Sequence, residues 1–493
     1  MTLTAVMSSV LTIHTAVAQN AATSSQGLEQ KVQQLTDAVA HTQTQLEVYQ
    51  KQLQQLQAQL AEVQSQLAEQ KASAVSSGSG TASTTQTGSS SSSQLDEIRE
   101  RQAIQESQIA THEQTKVETE SKYPLKVSGL ILFNGFVNTS AVDSAVAPTY
   151  TYPGGGSTGL SLRQTVLGLD ARGPHLWGAT SRGDLRVDFF ARDAEANYSA
   201  SGLLRLRTAH ASLSWKNTDL LVQQDRSFLE PNAPTSLVAV AQPEFSWSGN
   251  LWVWNPQIGL TQRIGLSGTR VLKLQSGLID AADPRWPGIA AGSSEISAAE
   301  RSRWPGAEAR IAFASRDAIS GPEIGLSGYF SPHENTDGAR FHAWAGAMDL
   351  RLLIAPHLSF TANAYRGAAL GGLGGGGYVD YVYLQRSTAE IARALDDVGG
   401  WTQLKAKLSE RLEFNGGYGI DNPFNSEIRA STRIPEYSIY HGLLKNRSTF
   451  GNVIYSPSSY LLFSLEYRRL WSNYLTGPTS TNNVIGIAAG YRF

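Results

Sequence analysis

The sequence predicts an all-β transmembrane barrel of about sixteen antiparallel strands, preceded by an α-helical coiled coil. Three observations carry this. From Leu125 onward apolar residues recur with period two, in segments of about the 9–11 residues that a tilted crossing needs. The connectors between these segments alternate between short and long. The last segment, "NVIGIAAGYRF", alternates to its final residue, Phe493.

Composition narrows the function classes. The chain has 493 residues, a net charge of -2, 41% hydrophobic residues and no cysteine. Disulfides, thiol catalysis and cysteine metal sites are therefore excluded. No basic block is present, which argues against a nucleic-acid partner. Beyond the N-terminus no run of about 18 apolar residues occurs, so helical spans are not expected. A barrel fits the mean hydropathy of -0.24, because alternating strands average out as polar.

Residues 1–18 read as a secretory signal. Their apolar run ends in Ala16-Val17-Ala18, with Gln19 as the mature start, although no Lys or Arg precedes the run and His14 interrupts it. Residues 19–72 read as the coiled coil. Its core is Leu28, Val32, Leu35, Val39, Leu46, Tyr49, Leu53, Leu56, Leu60, Val63 and Leu67, broken only by Thr42. The intervening residues are mostly Gln, so this stripe is the one face the helix can bury, and it must associate with copies or a partner. Leu at both a and d positions leaves two, three and four strands open. Residues 73–93 are a Ser/Gly/Thr linker. Residues 94–122 are a second helical stretch, with Leu95, Ile98 and Ile109 at heptad spacing but Gln102, Gln105 and His112 in core slots. It reads as a weaker coil or a neck, ended by Pro124.

Residues 123–493 read as the barrel. "SYLLFSLEYRRLW" places Leu461, Phe463, Leu465, Tyr467 and Trp471 opposite Ser464, Glu466 and Arg468. "GAEARIAF" places Ile311 and Phe313 opposite Glu308 and Arg310, and "WTQLKAKL" places Leu404, Ala406 and Leu408 opposite Gln403, Lys405 and Lys407. Short connectors fall near residues 216–218, 265–270, 355–357, 409–411 and 457–459. Long ones fall near 139–159, 226–249, 281–305, 367–400 and 421–443. Tight turns on one side and long loops on the other are the asymmetry of an outer-membrane barrel. Trp215, Trp344, Trp401, Tyr455, Tyr467, Trp471, Tyr491 and Phe493 are the expected interfacial girdle. An even strand count puts both barrel ends on one side. The last strand must then close against the first, "LKVSGLILFNGF", because lipid does not tolerate an open edge.

A barrel this wide encloses water, and inward charge sets its preference. The inward bases are Lys126, Arg186, Arg263, Lys273, Arg310, Arg351, Lys405, Lys407 and Arg468, joined by Arg205 and Arg207 in "LLRLRTAHASLSW". The inward acids are Asp184, Asp188, Glu308, Asp349, Glu413 and Glu466. The excess of bases favours anions; the competing reading is that these charges pair across strands as structural ladders. Arg186, Arg263 and Arg310 are the expected selectivity set, with Lys405 and Lys407 contributing less.

The terminal "GYRF", ending in Tyr491 and Phe493, resembles the aromatic signature by which the barrel-assembly machinery recognises outer-membrane proteins. "FSLEYRRL" and "GGWTQLKAKLSERLEFNGGYGIDNP" resemble the C-terminal hairpins of trimeric porins of the DcaP-like and phosphate-selective type, which also carry a coiled coil before the barrel. The resemblance spans Leu125 to Phe493 in architecture and is specific toward the C-terminal end; the long Ser/Gly linker departs from the family pattern. It implies a porin for passive diffusion of small hydrophilic solutes, with no enzymatic activity and no cofactor. It further implies a homotrimer, outer-membrane lipid and the assembly machinery as partners, and an N-terminal segment in the periplasm with peptidoglycan as a candidate contact. By position, "DRSFLEPNAPTSLVAVAQPEFSWSGN" resembles a porin constriction loop, with Asp225, Arg226, Glu230 and Glu244 as its charged candidates; a plain external loop is the alternative.

"GGLGGGGYVD", from Gly371, lacks the Lys-Ser/Thr and the helix of a phosphate-binding loop and is expected to be a mobile surface loop. His333 has no second ligand at metal spacing, so no metal is assigned. Two competing functions are a barrel lipase or protease, which needs a Ser/His/acid set, and a trimeric adhesin, in which each chain supplies only a few strands.

Overall fold

The computed structural model describes residues 125–191, 203–281, 296–317, 321–387, 389–433 and 442–493. The signal, coiled-coil core, linker and neck assigned from sequence lie outside these residues. The described chain is almost all strand. In order come β1 (Leu125–Val142), β2 (Thr151–Ser161), β3 (Val166–Leu176), β4 (Ala179–Ala191), β5 (Leu203–Ser214), β6 (Thr218–Arg226), β7 (Trp254–Gly265) and β8 (Arg270–Ile279). A short helix α1 (Ala298–Arg301) precedes β9 (Gly306–Ser315), β10 (Glu323–Glu334), β11 (Arg340–Ala355) and β12 (Leu358–Ala368). Then follow β13 (Tyr381–Arg386), β14 (Ala389–Ala394), β15 (Asp396–Ser409) and β16 (Leu412–Pro423). The last elements are α2 (Asn425–Ala430), β17 (Ser431–Arg433), β18 (Leu443–Tyr455), β19 (Leu461–Tyr474) and β20 (Ser480–Arg492).

The strands form one antiparallel sheet that closes on itself. β1 pairs with β20 from Leu130↔Arg492 to Asn138↔Val484 without a slip. β13, β14 and β17 form a separate small sheet. Taking β2 and β3 as one interrupted wall strand, the barrel has sixteen strands, as the alternation predicts. Phe493 answers for its own position: Gly129 N donates to Phe493 O at 3.0 Å and Phe493 N donates back to Gly129 O at 3.1 Å. The Phe493 ring lies over Gly129, where a Cβ would approach it to 2.5 Å, so the closing seam requires glycine there.

Short turns join β3–β4, β5–β6, β7–β8, β11–β12, β15–β16 and β18–β19 at one end, which also holds Leu125 and Phe493. The longer connections lie at the other end. Two of these are themselves short, 335–339 and 475–479, so the length contrast is weaker than the sequence suggests.

Alternation sorts side chains as read. In β19, Leu461, Phe463, Leu465 and Tyr467 are exposed on the outer surface, while Ser464, Glu466 and Arg468 are buried inside. Trp401 is a correction. It is 1% exposed and points inward in phase with Gln403, so it is not a girdle residue. Its indole donates to a buried carboxylate of an infolded loop, which gives an aromatic ring a reason to sit on the polar face.

Candidate pore and constriction

The core of this molecule is made by loops folded into the barrel. The β6–β7 connection, residues 227–253 and here called the inner loop, follows the inner wall through a succession of polar anchors. Glu308 on β9 accepts from Phe228 N at 2.9 Å and from the Ser227 hydroxyl. Asn363 on β12 donates to Leu229 O at 2.7 Å, and Trp401 Nε1 on β15 donates to Glu230 Oε1 at 3.1 Å. Gln403 accepts from Thr235 N at 2.7 Å, Asn452 on β18 donates to Thr235 O at 2.9 Å, and Ser236 Oγ donates to Glu466 on β19 at 2.6 Å. Asn134 on β1 then donates to Leu237 O at 2.9 Å.

The tip is held by Gln164, in the turn between β2 and β3. Its amide donates to Val238 O at 2.6 Å and accepts from Val240 N and Ala241 N at 2.8 and 2.9 Å. Arg205 on β5 donates to Ala241 O at 2.7 Å. The loop then turns back. Glu244 meets Arg468 at 2.6 Å, both buried, and Asn446 donates to Trp247 O at 2.9 Å. Buried loop backbone must find partners, and the inward Asn and Gln residues of the late strands supply them.

The glycine-rich stretch is a second correction. Gly371–Gly377 is buried, not a surface loop. Gly376 N and Gly377 N donate to Asp397 and Asp421 at 2.8 and 2.9 Å, and Gly374 packs on Trp252. The backbone amides do find acidic partners, but these are the barrel's own pair of buried carboxyl groups. The β1–β2 connection, 143–150, folds in as well: Arg468 donates to Pro148 O at 2.9 Å and Asn446 to Thr149 O at 2.8 Å. Burial pushes the Asp143 carboxyl up to about 6, against hydrogen bonds from Thr149 and Tyr150.

These segments cover the inner faces of β12, β15, β16 and β18–β20. The partly exposed inner wall runs from β3 to β8. There Arg186 pairs with Asp170 at 2.6 Å and lies 3.9 Å from Asp184. Arg205 pairs with Asp188 at 2.6 Å, and Arg207 lies 3.7 Å from the same carboxylate, which is fully buried. Both guanidiniums lie over the Trp254 ring, at 5.2 and 5.0 Å from its centre. Arg263 pairs with Asp219. Lys273 reaches Glu323 at 2.8 Å, Arg310 reaches Glu323 at 2.7 Å and also Asp349, and Arg351 lies 3.4 Å from Glu323. Of the constriction-loop candidates, Asp225 and Arg226 end β6, while Glu230 and Glu244 sit in the inner loop, buried against its anchors.

His210 was not among the sequence candidates. Its Nδ1 lies 2.8 Å from Asp184 and its Nε2 3.1 Å from Asp225. Strict alternation from Arg205 and Arg207 would send residue 210 outward. The β4–β5 register slips between Arg186↔Thr208 and Val187↔Leu206, leaving Arg207 as a bulge that reverses the phase. His210 therefore enters the lumen beside the arginines. A carboxylate only accepts, so a ring between two of them suits the form with hydrogen on both nitrogens.

No protein-family model and no curated protein sequence matches the chain. Among solved structures, the outer membrane channel DcaP of Acinetobacter baumannii aligns with a TM-score of 0.57 at 16% identity, over 76% of this chain and 99% of that one. The anion-selective porin from Comamonas acidovorans gives 0.46 at 10%, over 76% and 100%, and Salmonella typhi OmpF gives 0.46 at 11%, over 76% and 99%. The described barrel thus shares its fold with DcaP.

Proposed function

We propose that the chain is an outer-membrane porin that passes small hydrophilic solutes by diffusion and prefers anions. The observation that carries this is the combination of a closed sixteen-stranded wall, apolar outside, with an inner loop that narrows the lumen toward a charged wall. Sixteen strands leave room for water that a narrow barrel does not. At the tip of the inner loop two guanidiniums, Arg205 and Arg207, face one buried carboxylate, Asp188, so bases outnumber acids in direct contact there. In a narrowed passage such an excess acts on ions more strongly than in bulk water. The test is the reversal potential across a salt gradient in a planar bilayer. An anion-side sign is expected, and a cation-side sign would overturn the preference.

The short-turn end, which holds Leu125 and Phe493, is assigned to the periplasm, with the segment from Gln19 to Glu120 there as well. Protease added to intact cells should spare residues 73–93; cleavage there would reverse the topology. The heptad core Leu28–Leu67 is assigned a role in holding three copies together.

A further inference from the structure

The outer face of the late strands carries a group of bases that the lumen does not use. On β18, Lys445 and Arg447 alternate with Asn446 and Ser448, which are buried inside, so both bases stand on the outer surface. Their register partners on β19 are Asn473 and Trp471. Below them the same hairpin is apolar: Leu461, Phe463, Leu465 and Tyr467 are all exposed outside. Trp471 lies ten residues beyond Leu461. At about 3.3 Å per residue, on a strand tilted by about 40°, that is a rise of roughly 25 Å, the height of a lipid-facing band. Arg447 and Lys445 therefore stand at the long-loop end, where hydrocarbon gives way to headgroups, with Trp471 as the interfacial ring.

A third base comes from α2. Ile428 packs with Leu444 in one buried apolar cluster, which brings the last turn of the helix, with Arg429, against the start of β18. Arg429, Lys445 and Arg447 line one cavity of about 240 Å³ together with Asn473 and Tyr474, and no carboxylate lines it. Pockets for drug-sized ligands run to roughly 300–1,000 Å³, so this one suits a single small charged group. The Arg447 guanidinium is only partly engaged. Its Nη2 donates to Asn473 Oδ1 at 3.3 Å, while its Nε is buried with no hydrogen-bond partner among the described residues. It lies 5.8 Å from the centre of the Trp471 ring, and Arg469 lies 5.1 Å from the same ring. The Tyr474 hydroxyl already donates to Thr151 O at 2.7 Å, so the cations are what the cavity offers a ligand.

Three like charges around one small space repel one another, and the low dielectric beside the hydrocarbon strengthens the repulsion. A compact anion with more than one negative charge relieves it. A phosphate monoester carries about -1.5 to -2 at pH 7, and its oxygens match guanidinium donors in two-point contacts. We propose that this cavity is a binding site for a phosphate group, outside the lumen, with the phosphorylated headgroup of an outer-leaflet lipid or free phosphate as its source. The apolar band directly beneath favours the headgroup, because acyl chains could lie along it. The site stands apart from the pore's selectivity, and its lipid source rests on the membrane-barrel reading.

The test is binding of diphosphorylated lipid A, and separately of inorganic phosphate, to the full-length protein in detergent micelles. Arg429→Gln, Lys445→Gln and Arg447→Gln together should weaken lipid binding by about tenfold or more, because charge-assisted contacts are the stronger class of hydrogen bond. Lys216→Gln, Lys407→Gln and Arg411→Gln together, three exposed bases at the short-turn end, should leave it unchanged. Arg429→Lys with Arg447→Lys should retain most of the binding, which separates lost charge from lost folding. A loss confined to the first triple variant supports the site: seen with the lipid alone it assigns a headgroup, and seen equally with inorganic phosphate it assigns free phosphate. Equal loss in both triple variants, or no loss in the first, would overturn it. Conductance of the wild-type preparation tests the porin reading separately. Channels that conduct, with no loss in the first triple variant, leave that reading standing and remove this one; binding that is lost as expected from a protein that does not conduct does the reverse.

Discussion

At the residue scale the lumen is decided by which charges remain uncompensated. Replacing Arg205 and Arg207 together with Gln should move the reversal potential toward cations, because it removes the surplus base at the tip of the inner loop. Arg310 is a different case: its side chain is 2% exposed and held by Glu323 and Asp349. Arg310→Gln should lower thermal stability more than it alters selectivity, because breaking one partner of a buried network costs roughly 3–5 kcal/mol. A melting curve on folded barrels and a bilayer recording would separate the two effects. His210→Asn should also shift selectivity toward cations, since Asp184 and Asp225 would lose the ring between them. An unchanged reversal potential would show that the ring is neutral. Arg205 and Arg207 were legible from sequence because they share the parity of their strand. His210 was not, because a bulge is a pairing slip and leaves no mark in hydrophobic periodicity.

At the scale of elements, the strands were legible and the loops only partly so. A strand that faces lipid on one side and water or polar loops on the other must alternate, so β19 and β20 could be read residue by residue. An infolded loop satisfies its backbone through distant side chains, and no local pattern records that pairing. This is why the glycine-rich stretch looked like surface. Gln164 is the anchor with most at stake. Gln164→Ala would strip Val240 N and Ala241 N of their acceptor, at roughly 1–3 kcal/mol for each buried group left unpaired. Single-channel records should show greater open-channel noise, while the barrel's own melting should change little. The 143–150 connection should respond to pH. Asp143 has a folded value near 6, above its ordinary 3.8, so the seated loop is favoured while the carboxyl stays protonated. That advantage is complete at low pH, declines as pH rises from about 4 toward 6, and is absent beyond. Intrinsic-rate-corrected hydrogen exchange at Thr149 and Tyr150 should be faster at pH 7.5 than at pH 5.

At the scale of the whole molecule, cohesion comes from closure of the wall and from the loops packed within it. Deleting Gln19–Ser93 should therefore leave a folded oligomer of lower thermal stability; a wholly monomeric product would show that the heptads alone hold the copies together. The fold class and strand number were legible because closure is forced by the solvent, whereas the route of the inner loop is a choice among several polar walls. That route has a consequence in time. Ser236 is 230 residues from its acceptor Glu466, and Thr139 is 343 from Asn482. Contacts at such separations form late, because the chain between them must first be ordered. While a nascent barrel waits for its final hairpins, the inner loop has no seat and the passage has no narrow point. Newly inserted molecules should thus pass through a short-lived juvenile state, wide and unselective, before the last strand docks and the channel acquires its discrimination.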